Sequence, residues 1–390
     1  MALGIGDSMG KNQQQSMGDE ASVDRLADDC KVVFRKLEQV ADAAAAETAV
    51  EADAPDDVEE DGAEAASPTE AAAPSMEIFS YNDLLNYIAS TRRSNTDDDT
   101  RRRNSALAAM LSERGCDREL LRLPDDWERR LDDLQADFPH ANAFFDTVRD
   151  SCALAAQDDG VVHLPHLNEV GPPGSGKSVL APLLEGIVGG GFVRVSMSAV
   201  ESGAMLGGSQ ETWANSKPGL VFTTLTEGRY GNPIFLLDEL DKSSVDRQFN
   251  PQGPLYTLLE PTQAKHFVDL SVPMLPLDTS RVVWIATSND PEFIPAPIRQ
   301  RMVEIEIPLP TLAQSLAIVR SVLRWLKRDN PRLRRFALDD SAEQALLGLA
   351  PRQMRKLIVL GCGRAARHAR TVVTTVDIPH AAAKTRRIGF

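Results

Sequence analysis

The sequence GPPGSGKS, residues 171–178, matches GxxxxGK[ST] at every fixed position, and the fold of this chain turns on it. Gly171, Gly174 and Gly176 permit a tight turn whose backbone N–H groups can converge on phosphate oxygens. Pro172, Pro173 and Ser175 fill the variable positions of that turn. Lys177 supplies a point charge for terminal phosphates, and Ser178 a hydroxyl for magnesium. The apolar stretch LPHLNEV precedes the loop, and KSVLAPLLEGI after it reads as a helix whose N-terminus adds a favourable field for anions. A Gly-rich surface turn would lack that strand–loop–helix setting.

PIFLLDELDK, residues 233–242, lies some 60 residues downstream. Its apolar run predicts a buried strand, and two carboxylates emerge at the C-terminal end, the edge where parallel α/β sheets bind ligands. Asp238 can hold magnesium, directly or through water. Glu239 can polarise an attacking water. In VVWIATSND, residues 282–290, Asn289 ends a strand where its side chain can orient that water or the γ-phosphate. The three stretches together imply a site that hydrolyses ATP with Mg2+.

Around them, Leu164–Val170, Phe192–Met197, Ile234–Leu237, Val282–Ala286 and Val303–Ile307 read as strands alternating with helices. That predicts an α/β fold, an αβα sandwich around a parallel five-stranded sheet, over residues 124–309. After Pro308 the strand signals cease. Residues 311–328 and 341–370 read as helices separated by a turn at Pro331, with a short helix ending the chain, so 310–390 is expected to be a small helical domain. Residues 77–123 read as a helical prefix interrupted by SNTDDDTRRRNS, residues 94–105.

The first 76 residues carry 18 Asp/Glu against 5 Lys/Arg, a net of −13, while the whole chain is −15. The acidity therefore belongs to a tail and says little about what the remainder binds. Ala41–Glu70 has eleven acids and no base, a composition expected to remain disordered. Before it, Val23, Leu26, Cys30, Val33, Leu37 and Val40 predict one amphipathic helix near 22–40. Cys30, Cys116, Cys152 and Cys362 are far apart, which argues against a zinc ribbon or a disulfide scaffold. His163 and His166 have no further ligands nearby in the sequence and read as structural. No apolar run approaches the length needed to cross a bilayer, and the N-terminus lacks a signal-peptide pattern, so a soluble cytoplasmic protein is expected.

GPPGSGKS, NPIFLLDELDK, ATSNDPEFIPAPIRQRM and APRQMRKLI together resemble the AAA+ module of Lon-type ATP-dependent proteases, over about Phe138 to Ala381. The resemblance implies a large αβα domain with a helical lid, assembled as a homo-hexameric ring that remodels or unfolds protein clients. It implies that Asn289 acts as sensor 1, Arg301 (with Arg299 as a second candidate) as the arginine finger reaching a neighbour's ATP, and Arg352 as sensor 2. GGSQETWANSKPG, residues 207–219, falls where that family has its aromatic pore loop, with Trp213 in the aromatic's place, Ala214 after it and Asn215 where the family has Gly. Its polar neighbours favour an exposed loop, although a Trp is more often a core anchor. The chain stops at Phe390, about where the lid should end, so no peptidase activity is expected of it.

Two other functions compete. Residues 309–390 carry 16 Lys/Arg and 5 Asp/Glu, a net of +11, the kind of charge a nucleic-acid motor or loader uses. No recognisable nucleic-acid motif accompanies that charge. An ATP-controlled assembly switch is the other; Asp238, Glu239, Asn289 and Arg301 are all present, which favours a hydrolysing machine.

Overall fold

The computed structural model describes residues 73–93, 98–210, 216–243 and 250–379. The acidic tail up to residue 72, the helix expected near 22–40 and the helix expected at the very C-terminus lie outside the described residues; Ser75 and Met76, expected in that tail, belong instead to the first strand.

Ser75–Glu77 (β1) pairs antiparallel with Asp117–Glu119 (β2), enclosing the helices Tyr81–Arg93 (α1) and Asp98–Arg114 (α2). The prefix is thus not interrupted over 98–105: α2 runs straight through DDTRRRNS. Asp98 and Asp99 occupy its first turn, where the helix dipole favours acids, and Asp98 pairs with Arg101 one turn on. Ile78, Phe79, Leu84, Tyr87 and Leu111 share one apolar core with Val195, Leu237 and Trp284 of the main sheet, so this segment is packed onto that sheet.

Trp127–Asp137 (α3) and Asn142–Ala155 (α4) lead into the five strands Leu167–Val170 (β3), Phe192–Ser196 (β4), Ile234–Asp238 (β5), Val283–Ser288 (β6) and Val303–Glu306 (β7). They form one parallel sheet in the order β4-β5-β6-β3-β7. Every residue of β5 and β6 is buried, as central parallel strands covered on both faces require. One face packs against α4 and Lys177–Leu183 (α5); the other packs against α2 and Leu220–Glu227 (α6). The helix α5 is shorter than KSVLAPLLEGI suggests, because Pro182 lies inside it and Gly186 turns away at a φ of 77°.

The register sets the chemistry at the sheet's C-terminal edge. Leu237 lies opposite Ala286, Ser196 opposite Asp238, and Val170 opposite Ser288. Asp238, Thr287 and the phosphate-type loop after Val170 therefore emerge side by side.

A capping box at Thr311 and Gln314 opens Leu312–Asp329 (α7). The helix expected over 341–370 is two helices, Asp340–Leu346 (α8) and Pro351–Arg367 (α9). Gly348 turns the chain between them at a φ of 72°, and Pro351 sits in the first turn of α9, where its missing N–H costs nothing. Strands do not cease after Pro308 either: Ala337–Leu338 (β8) pairs in parallel with Val372–Val373 (β9), two-residue strands too short to leave a period in the sequence. Ile318, Phe336, Leu346, Met354, Ile358 and Val373 form this region's own core. Asp137 at the end of α3 fastens it to the sheet domain, accepting from Ser321 Oγ at 2.6 Å, Trp325 Nε1 at 2.7 Å and Arg324 at 2.7 Å.

Candidate active site

The loop 171–178 is shaped by two glycines that no other residue could replace. A Cβ on Gly171 would fall on the backbone carbonyl of Ile307, and Gly176 has a φ of 102°. Among the described residues, the N–H groups of Gly174, Gly176, Lys177 and Ser178 meet no acceptor. The side-chain hydroxyl of Ser175 is buried with no partner. Unpaired donors of this kind, gathered in one turn, suit phosphate oxygens. Lys177, largely buried, donates from Nζ to the carbonyls of Gly171 at 2.5 Å and Pro172 at 3.1 Å and to Asn289 Oδ1 at 3.1 Å. Burial lowers its pKa, while Glu169, Asp241 and Asp238 act in the opposite direction.

Beside the lysine, Ser178 Oγ donates to Asp238 Oδ1 at 2.6 Å, and Thr287 Oγ1 donates to the same oxygen at 2.7 Å. The other oxygen pairs with the Arg194 guanidinium. Burial works against ionising Asp238, but the hydrogen bonds from Ser178, Arg194 and Thr287 outweigh it and hold the carboxyl below its ordinary value. A hydroxyl and an ionised carboxylate in contact are the hard oxygen donors that magnesium takes. The residues present therefore fit a magnesium–nucleotide complex.

Glu239, next along, sits at a φ of 58°, left-handed and rare for a residue with a side chain. Its N–H donates to Thr287 Oγ1 at 3.0 Å, which fixes that turn. Its carboxylate pairs with Lys242 and accepts from Ser198 Oγ at 2.8 Å, and those bonds lower its pKa. An ionised, half-exposed carboxylate at the sheet edge can accept a proton from water.

Several supporting residues carry no motif of their own. His140 Nε2 meets the carbonyl of Ser175 at 2.7 Å and braces the loop from behind; burial lowers its pKa. Thr287 joins Asp238 to Glu239. Asp241 Oδ2 accepts from the N–H groups of Asn289 at 3.0 Å and Asp290 at 3.2 Å. Glu169 is fully buried beneath the loop with neither carboxylate oxygen bonded, and burial raises its pKa well above the usual range. A polar residue at a strand end is ambiguous in sequence; the parallel register makes Glu169, Asp238 and Thr287 neighbours.

Lys177, Ser178, Asp238, Glu239 and Asn289 are thus brought together, and the arginines are not. Arg301 donates to Glu260 Oε2 at 2.8 Å and to the Pro297 carbonyl at 2.5 Å, and Arg299 pairs with Glu304 at 2.5 Å. Arg352 is exposed in the first turn of α9 and bonds to none of the described residues. The α9 start nevertheless abuts the loop, since a Cβ on Gly174 would stand 3.1 Å from Ala350 Cβ. Trp213 and Ala214 lie outside the described residues. His163 Nδ1 meets Arg281 at 2.9 Å; His166 is buried, and burial pushes its pKa down to about 4. Among the described residues no group of three or more His, Cys, Asp or Glu is placed to hold a metal, and no helix is long and apolar enough to cross a membrane.

Residues 169–310 match the ATPase family associated with various cellular activities (AAA). The chain is 38% identical over 167 residues to Lon protease 2 of Thermus thermophilus, covering 42% of this chain and 21% of that one. It is 32% identical over 210 residues to Lon protease 1 of Bacillus subtilis, covering 52% and 27%. The chain thus spans between a fifth and about a quarter of the length of these relatives. Among solved structures, the Thermotoga maritima RuvB Holliday junction branch migration motor is similar over 59% of this chain and 64% of that one, at a TM-score of 0.40 and 14% identity. The motifs, the sheet and these relatives agree that residues 169–310 form an AAA-type ATPase domain, within a chain that resembles the ATPase region of Lon proteases.

Proposed function

We propose that this chain binds ATP with Mg2+ in the loop 171–178 and hydrolyses it to ADP and phosphate. The observation that carries the reading is the contact of three separate motifs at one sheet edge: Ser178 on Asp238, and Lys177 on Asn289. When bound, magnesium would be held by Ser178 and Asp238 and would draw charge from the phosphates. The N–H groups of 174, 176, 177 and 178 bind phosphate oxygens, and Lys177 leaves the loop carbonyls for the terminal phosphates. Glu239 takes the proton of the attacking water once Lys242 and Ser198 release its carboxylate. Asn289 orients that water or the γ-phosphate.

The wider reading is a ring, a homo-hexamer in the cytoplasm, that remodels or unfolds polypeptide clients. Arg301, held by Glu260, then serves as the finger toward a neighbour's nucleotide, and Arg352 beside the loop reports the nucleotide state from the lid, residues 310–390. Trp213 and Ala214 grip the client. The Lon relatives support this reading by their names and shared region; no proteolytic step is proposed for these residues. A nucleic-acid motor is the second reading: no recognisable nucleic-acid motif accompanies the lid's net charge of +11, within which Arg320 pairs with Glu343, Arg324 with Asp137, Arg355 with Asp329 and Arg370 with Asp377.

The test of the ring is mixing. Arg301→Ala and Lys177→Ala subunits should each be inactive alone and should recover part of the turnover when co-assembled. An active Arg301→Ala homo-oligomer, or co-assembly without recovery, would remove the finger assignment. For Trp213, Trp213→Ala should keep basal hydrolysis and Tm but lose unfolding of a tagged reporter; unchanged unfolding would remove the grip.

A further inference from the structure

Asp241 is the third acid of LDELDK and shares neither the magnesium-holding role of Asp238 nor the proton-accepting role of Glu239. It lies in the 3-10 turn Leu240–Lys242, which directly follows Glu239. One of its oxygens, Oδ2, accepts two successive backbone N–H groups, those of Asn289 at 3.0 Å and Asp290 at 3.2 Å. The other, Oδ1, is buried with no partner. Those two N–H groups belong to the chain just past β6, where ladder bonding has stopped and a backbone left alone would be free to turn. A carboxylate acceptor on both of them fixes the peptide planes on either side of Asn289, and with them the direction of its side chain. That side chain in turn receives Lys177 Nζ at 3.1 Å. A continuous series of contacts therefore runs from the turn bearing Glu239, through Asp241, to Asn289 and Lys177.

We propose that Asp241 is a positioning residue that locks the Asn289 backbone to the Glu239 turn, so that water activation and phosphate sensing keep one fixed geometry. The proposal rests on the reading of this edge as an ATP hydrolysis site. Asp241 touches no reacting atom; it acts through Asn289. Its negative charge also favours the protonated Lys177, but the geometry asks only for an acceptor, which an asparagine side chain supplies as well.

The experiment compares the full-length chain with Asp241→Ala and Asp241→Asn. Amide hydrogen exchange is followed in the peptide spanning Ser288 to Asp290 without nucleotide, and ATP turnover is measured alongside fluorescent ADP binding. Asp241→Ala should speed exchange at Asn289 and Asp290 and lower kcat about tenfold to a hundredfold, as expected for a misplaced group, with KM and ADP affinity near wild type. Asp241→Asn should restore slow exchange and most of kcat. Slow exchange in Asp241→Ala, or an Asp241→Asn as impaired as the alanine variant, would overturn the proposal, the second because charge and not positioning would then be at work. A parallel loss of Tm, kcat and ADP affinity in Asp241→Ala would also overturn it, in favour of a merely structural acid. A wild-type chain that hydrolyses no ATP would remove the hydrolysis reading, and the exchange comparison would still decide the role of Asp241.

Discussion

Ser178 Oγ and Asp238 Oδ1 lie 2.6 Å apart, although 60 residues of chain separate them. The contact joins the phosphate loop to the acidic strand end and brings together the hydroxyl and the carboxylate that would hold magnesium in the proposed site. Most of what the site needs depends on how that one carboxylate is held.

Thr287 is the first point of test. It donates to Asp238 and accepts from the Glu239 N–H, so Thr287→Val should leave that N–H unpaired and free Asp238 to shift. Loss of a buried partner costs about 1–3 kcal/mol, and turnover should fall by roughly an order of magnitude or more with a higher Mg2+ requirement. Turnover and Mg2+ dependence equal to wild type would show that Thr287 does not support the site.

Glu169 gives a pH-dependent prediction. Burial without a partner raises its pKa well above the ordinary 4.5. Above that ordinary value the unfolded chain loses the proton and the folded chain keeps it, so stability falls as pH rises until the folded value is reached. Each pH unit of that window costs about 1.4 kcal/mol. Glu169→Gln, neutral at every pH, should match wild type in Tm near pH 4.5 and exceed it increasingly toward alkaline pH, as denaturation scans across that range would record. A Tm deficit that widens as pH rises would mean that an ionised Glu169 is stabilised by Lys177 instead.

Ser198 and Lys242 both hold the Glu239 carboxylate. Removing the neutral one, Ser198→Ala, should raise the basal ATPase rate or leave it within about fivefold, since a single side-chain hydrogen bond contributes about 1 kcal/mol. Steady-state phosphate release measures it. A loss of a hundredfold would mean that Ser198 takes part in the reaction itself.

The loop 171–178 and the ends of β5 and β6 were legible in the sequence because tight glycine turns and buried parallel strands dictate their residue types, in a pattern that suits phosphate and magnesium. The parallel five-stranded sheet was legible from the same alternation. His140, Thr287, Asp241 and Glu169 were not legible. Each is an ordinary polar residue whose meaning depends on a neighbour distant in the chain, such as Ser175 for His140 or Asn289 for Asp241. The two-residue strands β8 and β9 gave no period, and the helix through DDTRRRNS was hidden by its charge, which a first turn tolerates and a core face does not. Arg301 and Arg352 stand apart from the cluster, so the roles proposed for them would need a neighbouring subunit and lid movement.

Lys177 separates binding from chemistry. Its ammonium occupies the loop carbonyls here and would move to phosphate, a charge-assisted contact worth about 1.5–3 kcal/mol, so Lys177→Ala should weaken ATP about tenfold to a hundredfold or more. Fluorescent-nucleotide titration reads it, and wild-type affinity in that variant would place the phosphates elsewhere.

The most direct measurement of the central claim is single-turnover ATP hydrolysis by Glu239→Gln, beside its ATP affinity. The proposed role of Glu239 as base predicts affinity near wild type and a chemical step slowed by about 10²–10⁴-fold. Near-normal hydrolysis by Glu239→Gln, with affinity retained, would contradict it.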